Sequence, residues 1–188
     1  MASTSDIRNG MCIDYNGEIY SVVEFLHVKP GKGNAFVRTK LKSMKSGRVI
    51  ENTFPAGHKI NEVRVERRKF QYLYNDEMGY HFMDNDTYDQ VALPSDLIEN
   101  PGLMKESMEV DVLFHAQENT PLTMEMPQYL ILEVTYTEPG LKGDTATNTL
   151  KPAKVETGAE IKVPLFVNVG DKVKVETSTG AYMERVKS

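Results

Sequence analysis

The chain of 188 residues has a single cysteine and no long apolar run. Because Cys12 has no partner in the chain, an internal disulfide is excluded, which suits a reducing compartment. No stretch approaches the roughly 18 to 20 apolar residues that a membrane-spanning helix requires. The N-terminus also lacks the basic and apolar regions of a signal peptide. These absences predict a cytoplasmic protein that does not enter a membrane.

Motifs for catalysis and for cofactor or metal binding are missing as well. Gly31-Lys32-Gly33 lacks both the spacing of a phosphate-binding loop and the third glycine of a dinucleotide fingerprint. The four histidines are too scattered for a local metal motif, and the acidic stretch 84–89 lacks the glycine of a calcium loop. We therefore expect no catalytic residues, metal or cofactor, and a binding protein is favoured over an enzyme.

Charge is distributed unevenly along the chain, although the formal net charge is only −5. Residues 1–65 carry a net charge of +4, residues 66–128 carry −9, and residues 129–188 carry 0. The first segment would be attracted by phosphates and the second repelled, which would orient the protein on a polyanion. On charge alone, ordinary solvated surfaces are an equally good explanation.

Short strand patterns separated by turns run through the whole chain. Asn16-Gly17 is the strongest hairpin signal, because both residues accept the positive φ of a type I′ turn. Ser95 is predicted to cap one or two helical turns after Pro94. The pattern predicts an all-β protein with three modules at residues 1–65, 66–128 and 129–188. The first is typical of a small SH3-like barrel, and the other two resemble oligonucleotide-binding (OB) barrels.

One predicted turn presents a lysine at its tip. Pro30 fixes its own φ and disfavours helix at Lys29, while Gly31 and Gly33 permit backbone angles closed to other residues. A lysine between two glycines can approach a polyanion closely, and its ammonium offers three donors to phosphates or ribose hydroxyls. Lys32 would also be accessible to a modifying enzyme, although most exposed lysines are simply solvated charges.

The strand after this turn is predicted to carry a basic stripe. Residues 36–42 alternate between apolar or threonine positions and basic positions, so one strand face would be buried. The other face would begin beside the Lys32 tip and would carry Arg38, Lys40 and Lys42. These three cations are predicted to bind RNA.

Lys151, Ala153, Gly158, Val163-Pro164 and Gly170 stand at fixed spacing near the C-terminus, and with this pattern the chain resembles the bacterial translation elongation factor P family from end to end. Residues 151–170 fit the family's C-terminal signature at every specified position. The signature reads Lys-x-Ala, four residues, Gly, two residues, aliphatic, x, Val-Pro, two residues, aliphatic, two residues, Gly, where x is any residue. Further matches are residues 28–36, Tyr72-Leu73-Tyr74-Asn75-Asp76, residues 140–146 and Tyr182-x-x-Arg185-Val186-Lys187. The family is homologous to archaeal and eukaryotic initiation factor five-A.

The resemblance implies three β modules in an L shape that imitates tRNA: an SH3-like, KOW-type N-terminal barrel followed by two OB-fold barrels. It implies a cytoplasmic monomer that binds both subunits of the ribosome and the ribosomal RNA, between the peptidyl and exit tRNA sites. Members of the family relieve stalling at consecutive prolines, and the basic first module would face the peptidyl-tRNA. The alternative is a factor-P-like paralogue or another OB-fold RNA-binding protein with a different RNA target.

The resemblance also assigns roles to individual residues. Lys32 would be the site of modification and of contact with the peptidyl-tRNA, in a loop shaped by Lys29, Pro30, Gly31 and Gly33. Tyr182 and Arg185 would meet tRNA, and a loop containing Gly143, Asp144 and Thr145 would meet the small subunit. Because position 32 is lysine, the branch of the family that modifies arginine is excluded. The choice among the lysine modifications, or none, stays open.

Overall fold

The computed structural model describes residues 1–140 and 149–187. Regular structure in those residues is almost entirely β-strand, with single turns of 3-10 helix at Thr4–Asp6, Ser95–Leu97 and Pro101–Leu103. The strands form three sheets, each curled into a half-barrel, and this confirms the predicted all-β class. No helix in the described residues is long and apolar enough to cross a membrane.

The described part of the N-terminal third forms one sheet. Its strands are β1 (Ala2–Ser3), β2 (Cys12–Tyr15), β3 (Glu18–Val28), β4 (Phe36–Ser43), β5 (Val49–Pro55) and β6 (Lys59–Glu62). Their spatial order is β1-β6-β2-β3-β4-β5. Asn16 and Gly17 have φ angles of 55° and 80°, which confirms the predicted turn between β2 and β3.

The core of this sheet follows from the alternation of each strand, because successive side chains point to opposite faces. Inward-facing apolar residues from all the longer strands meet in one cluster. Its buried members are Ile7, Met11, Ile13, Val22, Val37, Leu41, Phe54 and Ile60. The hairpin formed by β3 and β4 is therefore anchored in this core at its base by Val22 and Leu41, and next to its loop by Val37.

The middle third contributes a second sheet. Its strands are β7 (Val65–Asp76), β8 (Gly79–Asp84), β9 (Gln90–Leu93), β10 (Glu109–His115) and β11 (Thr120–Glu125), in the order β11-β10-β7-β8-β9. The buried rings of Tyr72 and Phe82 pack 5.5 Å apart between their centroids. The prediction of a capped helix at Ser95 was wrong in two respects. The element is a single 3-10 turn, and Pro94, which supplies no capping side chain, occupies the N-cap position.

The described residues after 128 form a third sheet. Its strands are β12 (Tyr129–Thr137), β13 (Leu150–Val155), β14 (Glu160–Pro164), β15 (Lys172–Glu176) and β16 (Tyr182–Val186), in the order β14-β13-β12-β15-β16. Its core consists largely of valine, including Val134, Val163 and Val173, and Leu103 from the middle third packs into the same cluster.

By contact density the chain divides into two compact units. One comprises residues 1–68 and 112–124, and the other comprises residues 69–111 and 125–188. The three domain bounds expected from the sequence stay a prediction, as does the L shape.

Candidate functional site

The Lys32 loop, residues 29–35, joins β3 to β4 at the end of a long hairpin. The last paired residues of the two strands are Val28 and Phe36. Every side chain from Lys29 to Asn34 is exposed. Within the described residues, Lys32 makes no hydrogen bond and no ion pair, so its ammonium is available to an external partner.

The two glycines of the loop differ in what they contribute. Gly33 has a φ of +112°, an angle that residues with a side chain rarely adopt, so this position requires glycine. Gly31 lies outside the positive-φ region, and a Cβ built there meets no heavy atom within 4 Å. Of the two glycines expected to permit unusual backbone angles, Gly33 adopts such an angle and Gly31 does not. What Gly31 provides is the absence of a side chain beside Lys32.

The outer face of β4 carries the predicted basic residues. Val37, Thr39, Leu41 and Ser43 are buried, whereas the intervening side chains point away from the core. This confirms the predicted alternation of the strand. The outward-facing cations of this stripe are Arg38, Lys40 and Lys42.

The three cations are not electrostatically equivalent. The Lys40 ammonium lies 2.8 Å from a carboxylate oxygen of Glu24, and this hydrogen bond raises the pKa of Lys40. Glu51 lies opposite Lys40 on the neighbouring strand β5. Arg38 instead lies over the Phe36 ring, 5.6 Å from its centroid. Within the described residues Arg38 has no acidic partner, and its charge is available to phosphates.

The sequence analysis missed the two acidic neighbours of the stripe. A hairpin centred on Lys32 pairs residues that lie equally far from position 32, which places Glu24 opposite Lys40. Leu26, which is 58% exposed, faces Arg38 by the same rule. The centre of the turn was already visible in the sequence, so this pairing could have been found by counting outward from Lys32.

Tyr182 and Arg185 lie on β16, in the C-terminal sheet. Tyr182 is half-buried against the core, and this burial raises the pKa of its hydroxyl. A backbone hydrogen bond from Arg185 and the positive charge of Arg185 act in the opposite direction on that pKa. The Arg185 guanidinium lies 5.3 Å from the Phe166 ring centroid and 3.6 Å from a carboxylate oxygen of Asp171. Tyr182 also lines a cavity of about 610 Å³. Both side chains are thus held in place by neighbours while part of each remains accessible.

The predicted small-subunit residues cannot be placed in the same way. Gly143, Asp144 and Thr145 lie outside the described residues. On the described side of this segment, Gly140 packs against Leu165, since a Cβ at Gly140 would lie 2.9 Å from the Leu165 carbonyl oxygen.

Three protein-family models match successive parts of the chain. They are described as the elongation factor P (EF-P) KOW-like domain at residues 3–60, the elongation factor P (EF-P) OB domain at residues 65–124, and elongation factor P, C-terminal, at residues 130–185. These matches confirm the predicted order of a KOW-type module followed by OB-type modules.

Similar proteins are found over the full length of the chain. A protein called elongation factor P from Flavobacterium psychrophilum is 58% identical over 187 residues, covering 100% of both chains. Proteins with the same name from Christiangramia forsetii and Bacteroides fragilis are 59% and 50% identical, again covering 100% of both chains.

A solved structure provides a comparison of folds. It is described as eukaryotic translation initiation factor 5A from Methanococcus jannaschii, and it matches with a TM-score of 0.50 at 21% identity. The match covers 65% of this chain and 94% of that chain. At this level of identity the likeness concerns the fold.

Proposed function

The chain belongs to the elongation factor P family of translation elongation factors, and we propose that it binds the ribosome between the peptidyl and exit tRNA sites. There it stimulates peptide-bond formation and relieves stalling at consecutive prolines. The observation that carries this proposal is the exposed Lys32 ammonium, which has no partner among the described residues, at the tip of a hairpin whose strands are anchored in a core.

The mechanism is one of positioning. Proline is a poor reactant because its ring restricts the backbone of the growing peptide and its nitrogen is a secondary amine. The Lys32 ammonium donates hydrogen bonds to phosphate or ribose oxygens of the peptidyl-tRNA end and so restricts its movement. Holding two reactants in a productive geometry lowers the entropic part of the barrier. The bond-forming chemistry belongs to the ribosome, so the protein needs no catalytic residue of its own.

Electrostatics supports an orientation in which the first module faces RNA. The Lys32 loop and the Arg38 side chain belong to the segment with a net charge of +4. The next segment, at −9, is repelled by phosphates. The outer face of β4 therefore follows the peptidyl-tRNA or ribosomal RNA, with Arg38 and Lys42 as contacts.

The C-terminal module makes the remaining contacts. Arg185, which lies over the Phe166 ring and 3.6 Å from a carboxylate oxygen of Asp171, meets a tRNA phosphate, and Tyr182 of the same strand lies near it. Gly143, Asp144 and Thr145 meet the small subunit. The protein acts in the cytoplasm as a monomer.

Lys32 is also the residue that a lysine-modifying enzyme would extend. A longer side chain with a terminal amine would reach farther from the loop than lysine alone. Intact-mass measurement of the protein from its native host, followed by mapping of the peptide that contains Lys32, identifies the group present there.

The proposal is tested by translating two reporters in a purified system with and without the protein. A Pro-Pro-Pro reporter is expected to be made faster when the protein is present, and a proline-free reporter at an unchanged rate. Equal effects on the two reporters would contradict the proposed function. Retained affinity for free RNA without co-sedimentation with ribosomes would indicate a different RNA target.

Glu24 provides a prediction that follows from the geometry of the stripe. Replacing Glu24 with glutamine is expected to strengthen ribosome binding, because it releases Lys40 from its 2.8 Å ion pair. The slope of log affinity against log salt should become steeper by about one unit, the change expected for one additional phosphate contact. Arg38→Gln should change the slope by a similar amount in the opposite direction.

The matched control is Glu62→Gln. Glu62 belongs to the same module and pairs with Arg8 at 3.1 Å, so this variant changes the net charge equally but leaves the stripe intact. Co-sedimentation at graded salt measures all three variants. If Glu24→Gln and Glu62→Gln strengthen binding equally, overall charge and not the release of Lys40 is responsible.

A further inference from the structure

Among the described residues, strand pairing beyond the hairpin itself supports the Lys32 loop on the β4 side alone. Along β3, residues near the loop pair with β4 alone, because the pairing of β2 with β3 ends at Ser21. On the other side β5 pairs with β4 as far as Pro55 opposite Phe36. The Ala56 N–H then donates to the Ala35 carbonyl at 3.0 Å. Within the described residues, this is the last backbone hydrogen bond before the tip.

Ala56 owes its position to a tight turn. The His58 N–H donates to the Pro55 carbonyl at 3.1 Å, and Gly57 has a φ of +81°. A positive φ at the third residue is typical of a type II turn, where glycine is preferred. The direction of the Ala56 N–H therefore depends on this turn keeping its shape.

Thr4 fastens the turn through two hydrogen bonds. Its side-chain oxygen accepts from the Gly57 N–H at 2.8 Å, and its own N–H donates to the His58 carbonyl at 3.0 Å. Thr4 is only 2% exposed, so its own side chain is fixed by the surrounding core, whereas Gly57 and His58 lie at the surface. The Thr4–Asp6 turn is itself fixed, because the Ser3 N–H donates to the Asp6 carboxylate at 2.8 Å.

We propose that Thr4 is a positioning residue for Lys32. We call this set of contacts the brace; its members are Thr4, Gly57, Ala56 and Ala35. The brace links the N-terminal turn to the end of the loop that leads into β4, and so restricts the movement of that end. With the brace intact, the ammonium is presented within a narrow range of directions. This inference rests on the proposed function, since it assigns Thr4 to the same contact with the peptidyl-tRNA.

Thr4→Val is the substitution that isolates the brace. Valine keeps the shape of threonine but has no oxygen, so the Gly57 N–H loses its acceptor in the protein. Thr4→Ser retains the oxygen and is expected to behave like the wild type. Thr39→Val is the matched control, because Thr39 is also buried in this module and donates its hydroxyl to a backbone carbonyl, that of Asn52, at 2.8 Å.

The first measurement is amide hydrogen exchange in the free protein. In Thr4→Val, the Ala56 amide should exchange about tenfold faster, because the turn that directs it toward the Ala35 carbonyl loses its hydrogen bond to Thr4 and opens more often. The Val22 amide, which donates to the Met11 carbonyl in the same module, should be unaffected. Asp6→Asn is a second variant that loosens the N-terminal turn without altering Thr4, and it should accelerate Ala56 exchange by a smaller factor. Unchanged Ala56 exchange in both variants would overturn the brace.

The second measurement is the rate of Pro-Pro-Pro synthesis at increasing concentrations of the protein. Thr4→Val should lower the maximal stimulated rate about threefold, because a misdirected Lys32 loses part of its positioning effect. The concentration giving half of the maximal stimulation should stay the same. Thr4→Ser should restore the maximal rate, and Thr39→Val should match the wild type.

The two measurements separate the possible failures. If the wild-type protein does not stimulate the reporter, the proposed function is contradicted. The exchange measurement then tests the brace independently of that function. Stimulation by the wild type with equal loss in Thr4→Val and Thr39→Val would contradict the special role of Thr4.

Discussion

Replacing Lys32 with alanine is expected to slow Pro-Pro-Pro synthesis about ten- to hundredfold relative to the wild-type protein, with little change in a proline-free reporter. The magnitude follows because hydrogen bonds from a charged donor contribute about 1.5 to 3 kcal/mol, and each 1.4 kcal/mol of barrier is a factor of ten in rate. The variant keeps the fold, since Lys32 is exposed and makes no hydrogen bond or ion pair with any described residue.

Lys45→Ala is the control for this variant. Lys45 is also an exposed lysine of the first module, but it lies in the turn between β4 and β5, at the other end of the hairpin strand. Its loss changes the net charge equally, so any general weakening of RNA binding affects both variants. If Lys45→Ala slows the Pro-Pro-Pro reporter as much as Lys32→Ala does, the effect comes from charge and not from the loop tip.

The local features of the hairpin could be predicted because they depend on neighbours in sequence. Asn16 and Gly17 adopt positive φ whatever surrounds them, and the alternation of β4 follows from the geometry of an extended strand. In each of these segments, local preference and tertiary packing favour the same conformation.

The features that could not be predicted depend on distant residues. The short strand β1 forms only because Ala2 and Ser3 pair with Ile60 and Lys59. Thr4 gave no signal in the sequence, since its role depends on Gly57, which is 53 residues away. Leu103 lies in the middle third of the sequence and packs into the core of the C-terminal sheet. Such contacts are set by the fold as a whole and leave no trace in the pattern of a short segment.

The candidate site shows the same division. The tip lysine, Gly33 and the direction of the stripe follow from local rules, and the pairing of Lys40 with Glu24 follows from counting outward from the turn. The position of Glu51 opposite Lys40 depends on the register of a third strand, β5. A basic residue in the sequence is therefore a candidate for RNA contact, and its ion-pair partners in the fold decide whether its charge is available. In Lys40 that charge is already committed to Glu24.

The second large effect is expected at Gly79, where β8 begins. Gly79 has a φ of +125°, and a Cβ built there lies 2.5 Å from the carbonyl oxygen of the buried residue Leu93. Gly79→Ala should destabilise the β8–β9 region by about 3 to 5 kcal/mol, because backbone strain and a clash with main-chain atoms add together. Amide exchange of the β8 and β9 residues measures the loss locally.

Gly17→Ala separates the cost of backbone strain at a positive φ from the cost of a Cβ clash. Gly17 also has a positive φ, +80°, but a Cβ there meets nothing within 4 Å, so this variant carries the strain without the clash. Its expected cost is about 1 to 2 kcal/mol, measured by exchange of the β2 and β3 amides. A Gly79→Ala cost as small as this would mean that the Leu93 carbonyl moves aside, and that only the angle makes glycine necessary. A larger cost would show that the close approach of the Leu93 backbone also demands glycine at position 79.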